Sequence, residues 1–316
     1  MHYRKVCIFK LFGIYCTVIM ISVIICSADN GRIEKVKANI AATIGVPYEI
    51  LVITNAKELG GICKGYNTGA AEAAYDILCF VHDDVTFLTP EWGVRTAAHF
   101  AQQEALGLIG LAGSRYKSAA ISGWATGQPA FDCCNIFQAG KSGAAQRVYL
   151  HPAGQPDNLV SVRTLDGVWL CMRKTVWQQY PFNEEKLPGF HFYDLDISLR
   201  VSQRYMTGVV FDIDLLHDSM GSFGEAWINH AIHFHRHINQ VPLPALAPGA
   251  AGEAAVATAE KKVTSYWLNR LMKEPISEAV RCKWILAAGA WKQPGRWTDV
   301  ARLLLYPIKK TLERRS

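Results

Sequence analysis

Short runs rich in β-branched residues alternate with amphipathic helical segments over the first third of the chain. This periodicity predicts strands at residues 21–26, 48–54, 76–81 and 106–111, and helices at residues 31–44, 63–74 and 90–103. Strands that alternate with helices of this length are typical of βαβ units around a parallel sheet. Ligands of such sheets bind where the strands end. The sequence therefore predicts an α/β protein whose functional groups lie in the loops after the strands.

Two later segments depart from this alternation. Residues 112–163 are rich in Gly, Ser, Ala and Gln, which predicts a mobile loop or a small insertion. Residues 241–260 are rich in Pro, Ala and Gly and predict a linker. Between them, ordered elements return at residues 168–172, 194–205 and 208–213. We therefore expect one domain over residues 20–240 and a basic, amphipathic helical tail over residues 261–316.

The N-terminal segment is apolar up to residue 26, and its second half has the pattern of a buried strand. We interpret residues 1–19 as a leader, or as a mis-assigned start with Met20 as the true first residue. A membrane anchor and a signal peptide are the alternatives. The nine cysteines are too few for a disulfide scaffold, and most lie in apolar runs. We expect them to be reduced and the protein to be cytoplasmic.

Half of the 316 residues are hydrophobic, which excludes a disordered chain. The net charge of +6 is concentrated at the C-terminal end, where residues 260–316 carry 13 lysines and arginines against five acids. Trp284, Trp291, Trp297 and Tyr306 lie among these cations. A basic helix with aromatic anchors favours an anionic surface, here the inner face of a membrane, over nucleic acid. The alternative is a pair of helices packed on the domain with a solvated basic face.

His82, Asp83 and Asp84 directly follow the predicted strand at residues 76–81. Two carboxylates beside an imidazole at a strand end form an oxygen-rich site that suits Mg²⁺ or Mn²⁺ bridging to a diphosphate. Buried carboxylates would be costly without a cation. The alternative is a turn whose acids are solvated.

Asp194, Asp196 and His217 also lie near the ends of predicted elements. Both acids fall in or before the first turn of a helix, where the helix dipole favours anions. Helix capping, with an i,i+4 ion pair between Asp196 and Arg200, is the alternative, and it fits Asp196 better than Asp194. His217 follows a predicted strand and could ligate a metal through its neutral imidazole, or it is a surface residue.

Two further motifs are less specific. Four histidines between residues 230 and 237 suggest zinc, but no Cys partner or HExxH order accompanies them, and a helix face packed on the core is the simpler interpretation. The glycine-rich segment at residues 60–69 matches neither a P-loop nor a dinucleotide fingerprint. Lys64 and Asn67 in that segment can still face a nucleotide or a phosphate from the start of a helix.

Taken in order, these motifs resemble a family-2 type glycosyltransferase with the GT-A fold, and in particular the StrF-like glycosyltransferase domain. The resemblance spans about residues 20–240. It is carried by the stretches ISVIICSADN, YEILVITNA, GICKGYNTGAAEAAYDILCFVHDDV, LDGVWLCMRK and FHFYDLDISLR. The resemblance implies an α/β, Rossmann-like mixed sheet flanked by helices, to which this chain adds a C-terminal helical appendage.

The resemblance also implies roles for single residues. The donor nucleotide would be held by Ser27, Asp29, Asn55, Lys64, Asn67 and Asp83. Asp84 and His217 would hold the metal, and His82 stands where the family has the first Asp of its Asp-x-Asp motif. Asp194 would be the general base, with Tyr193 in place of the Glu that precedes it. Asp166, Gly167 and Trp169 would form a loop facing the donor and the acceptor.

These roles imply an inverting, Mn²⁺- or Mg²⁺-dependent enzyme. It would move a sugar from a nucleoside-diphosphate sugar to a hydroxyl of a glycan or glycolipid, in the synthesis of a surface polysaccharide or glycoconjugate. Asp194 with an ordinary pKa near ~4 would be a weak base. The substitutions at His82 and Tyr193 leave a non-catalytic nucleotide-sugar- or glycan-binding module, which recruits partners through its tail, as the alternative.

Overall fold

The computed structural model describes residues 8–11, 14–17, 19–140, 144–219, 221, 223–250, 253–274, 276–289, 297–298 and 300–301. Its strands, β1 to β17 in chain order, are Ile8–Leu11, Ile14–Thr17, Ile21–Cys26, Tyr48–Ile53, Ile77–Val81, Val85–Phe87, Leu106–Gly110, Ala112–Ser114, Tyr116–Lys117, Asp132–Ala139, Ala145–Leu150, Leu159–Ser161, Thr164–Leu165, Trp169–Arg173, Met206–Val210, Leu215–His217 and Ala245–Leu246. Its helices, α1 to α9, are Asn30–Thr43, Ala56–Leu59, Ile62–Glu72, Trp92–Gln102, Lys174–Gln179, Tyr193–Val201, Glu225–His233, Glu253–Lys273 and Glu278–Ala288. A π-helical turn, Phe234–Ile238, continues α7.

A seven-stranded mixed sheet lies at the centre, in the order β12-β15-β7-β14-β5-β3-β4. The predicted strands at residues 21–26, 48–54, 76–81, 106–111 and 168–172 are confirmed as β3, β4, β5, β7 and β14. β3 is parallel to both β4 and β5, whereas β14 is antiparallel to β5 and to β7. The sheet is therefore mixed, as the resemblance implied.

Helices cover both faces of this sheet. Side chains alternate along β3, so that Ile24 joins one apolar cluster and Val23 joins the other. The buried face of α1 packs in the cluster of Val23, and the buried face of α3 packs in the cluster of Ile24. Because both faces of the sheet are buried, the sequences of β3 and β5 are apolar at nearly every position.

The expectation of a loop over residues 112–163 is wrong. β8, β10, β13, β16, β6 and β11 form a second, six-stranded sheet. Asn135 of β10 is fully buried, and its amide donates to the carbonyl oxygen of Ile213 at 2.8 Å and to Asp214 Oδ1 at 3.1 Å. Arg147 donates to its Oδ1 at 2.9 Å. Small and polar residues are buried here because distant segments satisfy their hydrogen bonds, a property that local periodicity does not encode.

Cys79 and Cys171 face each other across β5 and β14 and form a disulfide. The expectation of reduced cysteines is therefore wrong for this pair, which is 92 residues apart in sequence. Cys26, Cys63, Cys133, Cys134 and Cys282 are free. Burial raises the pKa of the Cys63 thiol to about 12, so this cysteine behaves as a small hydrophobic residue.

Regular elements occur within the predicted leader and linker where these are described. β1 and β2 pair as antiparallel strands within the predicted leader, whose residues 1–7, 12–13 and 18 lie outside the described residues. The predicted linker contains β17, which pairs with β9, and the first residues of α8. Tertiary contacts reach into this segment, since Ala259 is buried in one cluster with Tyr116 and Phe131.

The tail is partly described. Trp284 of α9 is fully buried in the core cluster, so it packs on the domain and does not anchor a membrane. Trp291 and Tyr306 lie outside the described residues. None of the helices in the part of the chain described here combines the length and the apolar character that a membrane span requires.

Replacing Asn135 with Ala tests the connection between the two sheets. We expect the free energy of unfolding to fall by about 1–3 kcal/mol, because buried backbone and side-chain groups lose their partner. Urea denaturation followed by circular dichroism measures this change. Asn158→Ala, at an exposed position, is the control and should change stability by less than about 0.5 kcal/mol. An equal effect of both substitutions would contradict this account of Asn135.

Candidate active site

A cavity of about 770 Å³ opens where β3 and β5 end. Ser27 follows β3 and His82 follows β5, and because these strands are parallel and paired, the two loops emerge side by side. β14 runs antiparallel to β5, so it begins at the edge of the sheet where β5 ends. Asp166 and Gly167, which precede β14, therefore lie at the same edge as the two loops. The predicted site residues that line this cavity are Ser27, Asp83, Asp84, Asp166, Gly167, Asp194 and His217.

Three side chains at the cavity floor converge on one point. Asp84 Oδ1 lies 3.5 Å from His217 Nε2 and 4.0 Å from His82 Nδ1. One ligand atom from each residue lies within 4.8 Å of the other two. Burial works against ionisation of Asp84, but the neighbouring His217 outweighs it and holds the pKa of this carboxyl below its usual range.

The hydrogen bonds of His82 fix which of its nitrogens faces Asp84. The Tyr193 hydroxyl donates its one proton to the carbonyl oxygen of Gly167 at 3.0 Å. It therefore accepts from His82 Nε2, which lies 2.7 Å away. Burial lowers the pKa of His82 below its usual value, which favours the neutral ring. We therefore assign the proton to Nε2 and a lone pair to Nδ1, on the side of Asp84.

These three residues fit a divalent cation. Asp84 Oδ1 is buried and has no hydrogen-bond partner among the described residues, which is costly for a carboxylate oxygen. A cation would satisfy this oxygen and the free lone pair of His82. Two imidazoles and one carboxylate suit Mn²⁺ or a similar first-row ion better than Mg²⁺, which prefers oxygen ligands. The site thus extends the predicted pair of Asp84 and His217 by His82.

Asp194 lies at the start of α6, inside the cavity. Its Oδ2 accepts from the backbone N–H of Gly167 at 3.2 Å and its Oδ1 from that of Leu195 at 2.9 Å. Burial, followed by repulsion from Asp166, raises the pKa of Asp194 to about 7, although these backbone donors lower it. The prediction of an ordinary pKa for Asp194 is therefore wrong. It took no account of burial, which the sequence does not show.

Two unusual backbone features hold Asp194 in place. Phe192, directly before α6, has a φ of 71°, in the left-handed region that costs a residue with a side chain ~1–3 kcal/mol. Its ring is buried against Trp227 and Phe234, which maintains this conformation. Gly167 passes so close to Tyr193 that an added Cβ would lie 2.0 Å from the hydroxyl. Only glycine fits at this position.

The other end of the cavity carries a charged cluster beside β3. The Ser27 hydroxyl donates to Asp83 Oδ2, and Arg32 Nη1 lies 3.4 Å from Asp83 Oδ1. Asp29 caps α1 by accepting the backbone N–H of Arg32 at 3.1 Å, and it does not line the cavity. Arg32 does line it. Arg32 could not be identified from the sequence, because a basic residue in the first turn of a helix carries no motif.

Lys64 and Asn67 do not lie in the cavity. Lys64 Nζ is 2.7 Å from Glu184 Oε1, and the amide of Asn67 donates to Glu184 Oε2 at 2.8 Å. Trp177 donates to Asn67 Oδ1 at 3.0 Å. Both predicted nucleotide contacts are thus occupied by Glu184, 120 and 117 residues away in sequence. Neither residue lines the cavity, and their contact with the donor stays a prediction.

Two other predicted residues lie elsewhere as well. Asn55 is exposed beside α2 and does not line the cavity. Trp169 is fully buried in β14, edge-on to the stacked rings of Phe87 and Trp92, and acts in the core. Asp196 makes the alternative contact expected for it, an ion pair of 2.7 Å with Arg200.

The cavity also has aromatic walls that the sequence analysis did not assign. Trp124 donates to Asp166 Oδ2 at 2.7 Å, and the ring of Phe190 lies 5.5 Å from that of His82. Phe223, Trp267 and Arg270 line the far side. Scattered aromatic residues are common in cores, so only the three-dimensional arrangement identifies these as cavity residues.

Comparison with known sequences assigns a family. Residues 22–240 match the family described as "Glycosyltransferase like family". No curated protein matches the chain.

Solved structures share the fold at low identity. Residues 1–349 of S. aureus TarS are 13% identical, with a TM-score of 0.51 over 90% of this chain and 81% of that chain. TarS 1–349 in complex with UDP-GlcNAc is 11% identical, with the same TM-score and the same coverage of both chains. The mannosyltransferase PcManGT from Pyrobaculum calidifontis, in complex with GDP-Man and Mn²⁺, is 13% identical, with a TM-score of 0.44 over 94% of this chain and 88% of that one. GalNAc-T7, solved with UDP, GalNAc and Mn²⁺, is 9% identical, with a TM-score of 0.45 over 65% of this chain and only 45% of that one. The GT-A fold expected from the resemblance is confirmed by the likeness to TarS.

Tyr193→Phe tests whether the hydroxyl orients His82 as a metal ligand. We expect Mn²⁺ affinity to fall roughly 10–100-fold, because a partner that fixes the tautomer and ring of a ligating histidine contributes that much. Isothermal titration with MnCl₂ measures the affinity without any turnover. Tyr180→Phe is the control, since that half-buried tyrosine does not line the cavity. Unchanged Mn²⁺ binding in Tyr193→Phe would refute the assigned role.

Proposed function

The chain belongs to the glycosyltransferase-like family, and on that premise we propose that it transfers a sugar from a nucleoside-diphosphate sugar to a hydroxyl acceptor, with inversion. One observation carries this proposal. The 2.7 Å hydrogen bond between His82 and Tyr193 joins the metal-binding group to the residue directly before Asp194. A cation site and a half-buried carboxylate with a raised pKa line the same cavity.

The donor would lie along the edge of β3 and β5. Ser27, Asp83 and Arg32 offer a hydroxyl, a carboxylate and a guanidinium at one end of the cavity, which suits the hydroxyls and charges of a nucleotide. The fold is that of TarS, which has been solved with UDP-GlcNAc, and this supports a nucleotide-sugar donor. His82, Asp84 and His217 would hold the divalent cation. When bound, that cation supplies Lewis-acid stabilisation of the negative charge on the departing diphosphate.

Asp194 would accept the proton of the acceptor. In one displacement, the acceptor oxygen forms a bond to the anomeric carbon while the bond from that carbon to the diphosphate oxygen breaks. The electron pair leaves with the nucleoside diphosphate, and the hydroxyl proton passes to Asp194. Inversion follows because no enzyme nucleophile intervenes. A general base works best when its pKa lies near the working pH, and burial gives Asp194 this property.

The finer predictions of product and location remain proposals. A role in the synthesis of a surface polysaccharide or glycoconjugate rests on the resemblance to the StrF-like domain. Contact of the tail with the inner face of a membrane rests on its basic composition, and all seven of its cations after Lys283 lie outside the described residues. Flotation of the full chain with anionic liposomes tests this contact.

Asp194→Asn tests the general base. Hydrolysis or transfer of a UDP- or GDP-sugar with Mn²⁺ should fall by ~10²–10⁴-fold, the typical contribution of one positioned base. Nucleotide binding, measured as a rise in melting temperature, should persist because the donor cluster is untouched. Asp76→Asn, at the opposite end of β5, is the control. Full turnover in Asp194→Asn would remove this residue from the mechanism, and a wild type that binds nucleotide sugars without hydrolysis or transfer would favour the binding module.

The pH dependence tests the raised pKa. Only the ionised carboxylate accepts a proton, so kcat at saturating Mn²⁺ should fall as the pH drops through about 7. Asp166→Asn removes the repulsion that raises this pKa, so the acid limb should move to lower pH. Asp157→Asn, at an exposed position, should leave the profile unchanged. An acid limb that Asp166→Asn does not move would contradict the proposed coupling.

A further inference from the structure

The far wall of the cavity is built by α8, which follows the family match at residues 22–240. Trp267 and Arg270 of this helix line the cavity together with Phe223. The guanidinium of Arg270 lies 3.8 Å from the ring centroid of Phe223 and 5.8 Å from that of Trp267. Arg270 therefore has a defined position, held by two aromatic rings.

Within the part of the chain that the structure describes, Arg270 lacks the partners that a half-buried cation normally has. Its Nε is buried without a hydrogen-bond partner there, and its Nη1 donates to the Tyr266 hydroxyl at 3.2 Å. No acid among the described residues forms an ion pair with it. By contrast, the other arginine of the cavity, Arg32, pairs with Asp83 at 3.4 Å and with Asp29 at 3.6 Å. A partly buried guanidinium without an acid points to an anionic ligand in the cavity.

The position of Arg270 places this anion on the acceptor side. Phe192, two residues before Asp194, contacts Trp227 at 5.2 Å, and Trp227 stacks on Trp267 at 4.8 Å. This chain of rings connects the start of α6, which carries the general base, to the wall that carries Arg270. The donor cluster of Ser27, Asp83 and Arg32 follows β3 and β5 instead.

Two further aromatic residues that line the cavity can hold a sugar. Phe190 is 55% exposed at the cavity, and Trp124 is half-buried beside Asp166. The C–H groups of a sugar ring carry a small positive charge and favour the negative faces of aromatic rings. A ring stacked here would bring a hydroxyl towards Asp194 while a charged substituent reaches Arg270.

We propose that the acceptor is a sugar that bears a carboxylate or a phosphate, and that Arg270 is the residue that selects it. This inference rests on the proposed function, because it assigns the acceptor end of the same cavity. An arginine fork binds carboxylate and phosphate oxygens with two parallel hydrogen bonds, whereas a neutral hydroxymethyl group leaves the guanidinium unpaired.

Tryptophan fluorescence of the full chain, with UDP and Mn²⁺ present, measures this preference without turnover. The probes are methyl glucoside, methyl glucuronide and methyl glucoside 6-phosphate, which differ only at C6. We expect at least one anionic glycoside to bind roughly tenfold or more tightly than the neutral one. The anion that gains affinity identifies the substituent as a carboxylate or a phosphate.

Two substitutions connect the preference to Arg270. Arg270→Gln should reduce binding of the anionic glycoside to the level of the neutral one, and Arg270→Lys should retain part of the preference because it keeps the charge. Arg204→Gln, at an exposed position outside the cavity, is the matched control and should keep the full preference. Melting curves show that each variant is folded.

Three outcomes would overturn the inference. They are equal affinities of the three glycosides in the wild type, a preserved preference in Arg270→Gln, and a loss of UDP affinity in Arg270→Gln, which would assign the guanidinium to the donor diphosphate. A separate assay distinguishes failure of the proposed function. If glycosides bind with the expected preference but no nucleotide sugar is hydrolysed or transferred, the transferase proposal fails while Arg270 still selects an anionic sugar.

Discussion

The structure of the site depends on one buried carboxylate oxygen, Asp84 Oδ1, which has two imidazoles beside it and no hydrogen-bond partner among the residues that the structure describes. Such an oxygen is unfavourable in a protein interior unless a cation compensates it. The surrounding hydrogen bonds orient His82 so that it could bind such a cation. The carbonyl of Gly167 holds the Tyr193 hydroxyl, and that hydroxyl holds the proton of His82 on the nitrogen away from Asp84. The metal-binding group and the loop before β14 are thereby one hydrogen-bonded unit.

The resemblance implies an Asp where this chain has His82 and a Glu where it has Tyr193, and these two side chains are bonded to each other at 2.7 Å. Relative to that implied pattern, two uncharged side chains replace two acids. Asp194 is then surrounded by less negative charge than a second acid at position 193 would give. Its remaining acidic neighbour, Asp166, helps to raise its pKa to about 7.

Local sequence predicted the sheet edge well, because apolar runs and the polar residues that follow them are adjacent in the chain. Ser27 and Asp84 came together for this reason. The incorrect predictions concern residues whose partners are distant in the chain. Glu184 binds Lys64 and Asn67 from more than 110 residues away, and Asn135 is satisfied by backbone groups near residue 213. Arg270 joins the cavity from a helix that composition assigned to a tail. No local pattern encodes such distant partners.

The most direct test of the central claim is anomalous diffraction at the manganese edge, from crystals grown with MnCl₂ and UDP. The account predicts one strong peak between His82, Asp84 and His217, within the cavity that Asp194 lines. Manganese bound elsewhere, or held by carboxylates with both imidazoles turned away, would contradict it.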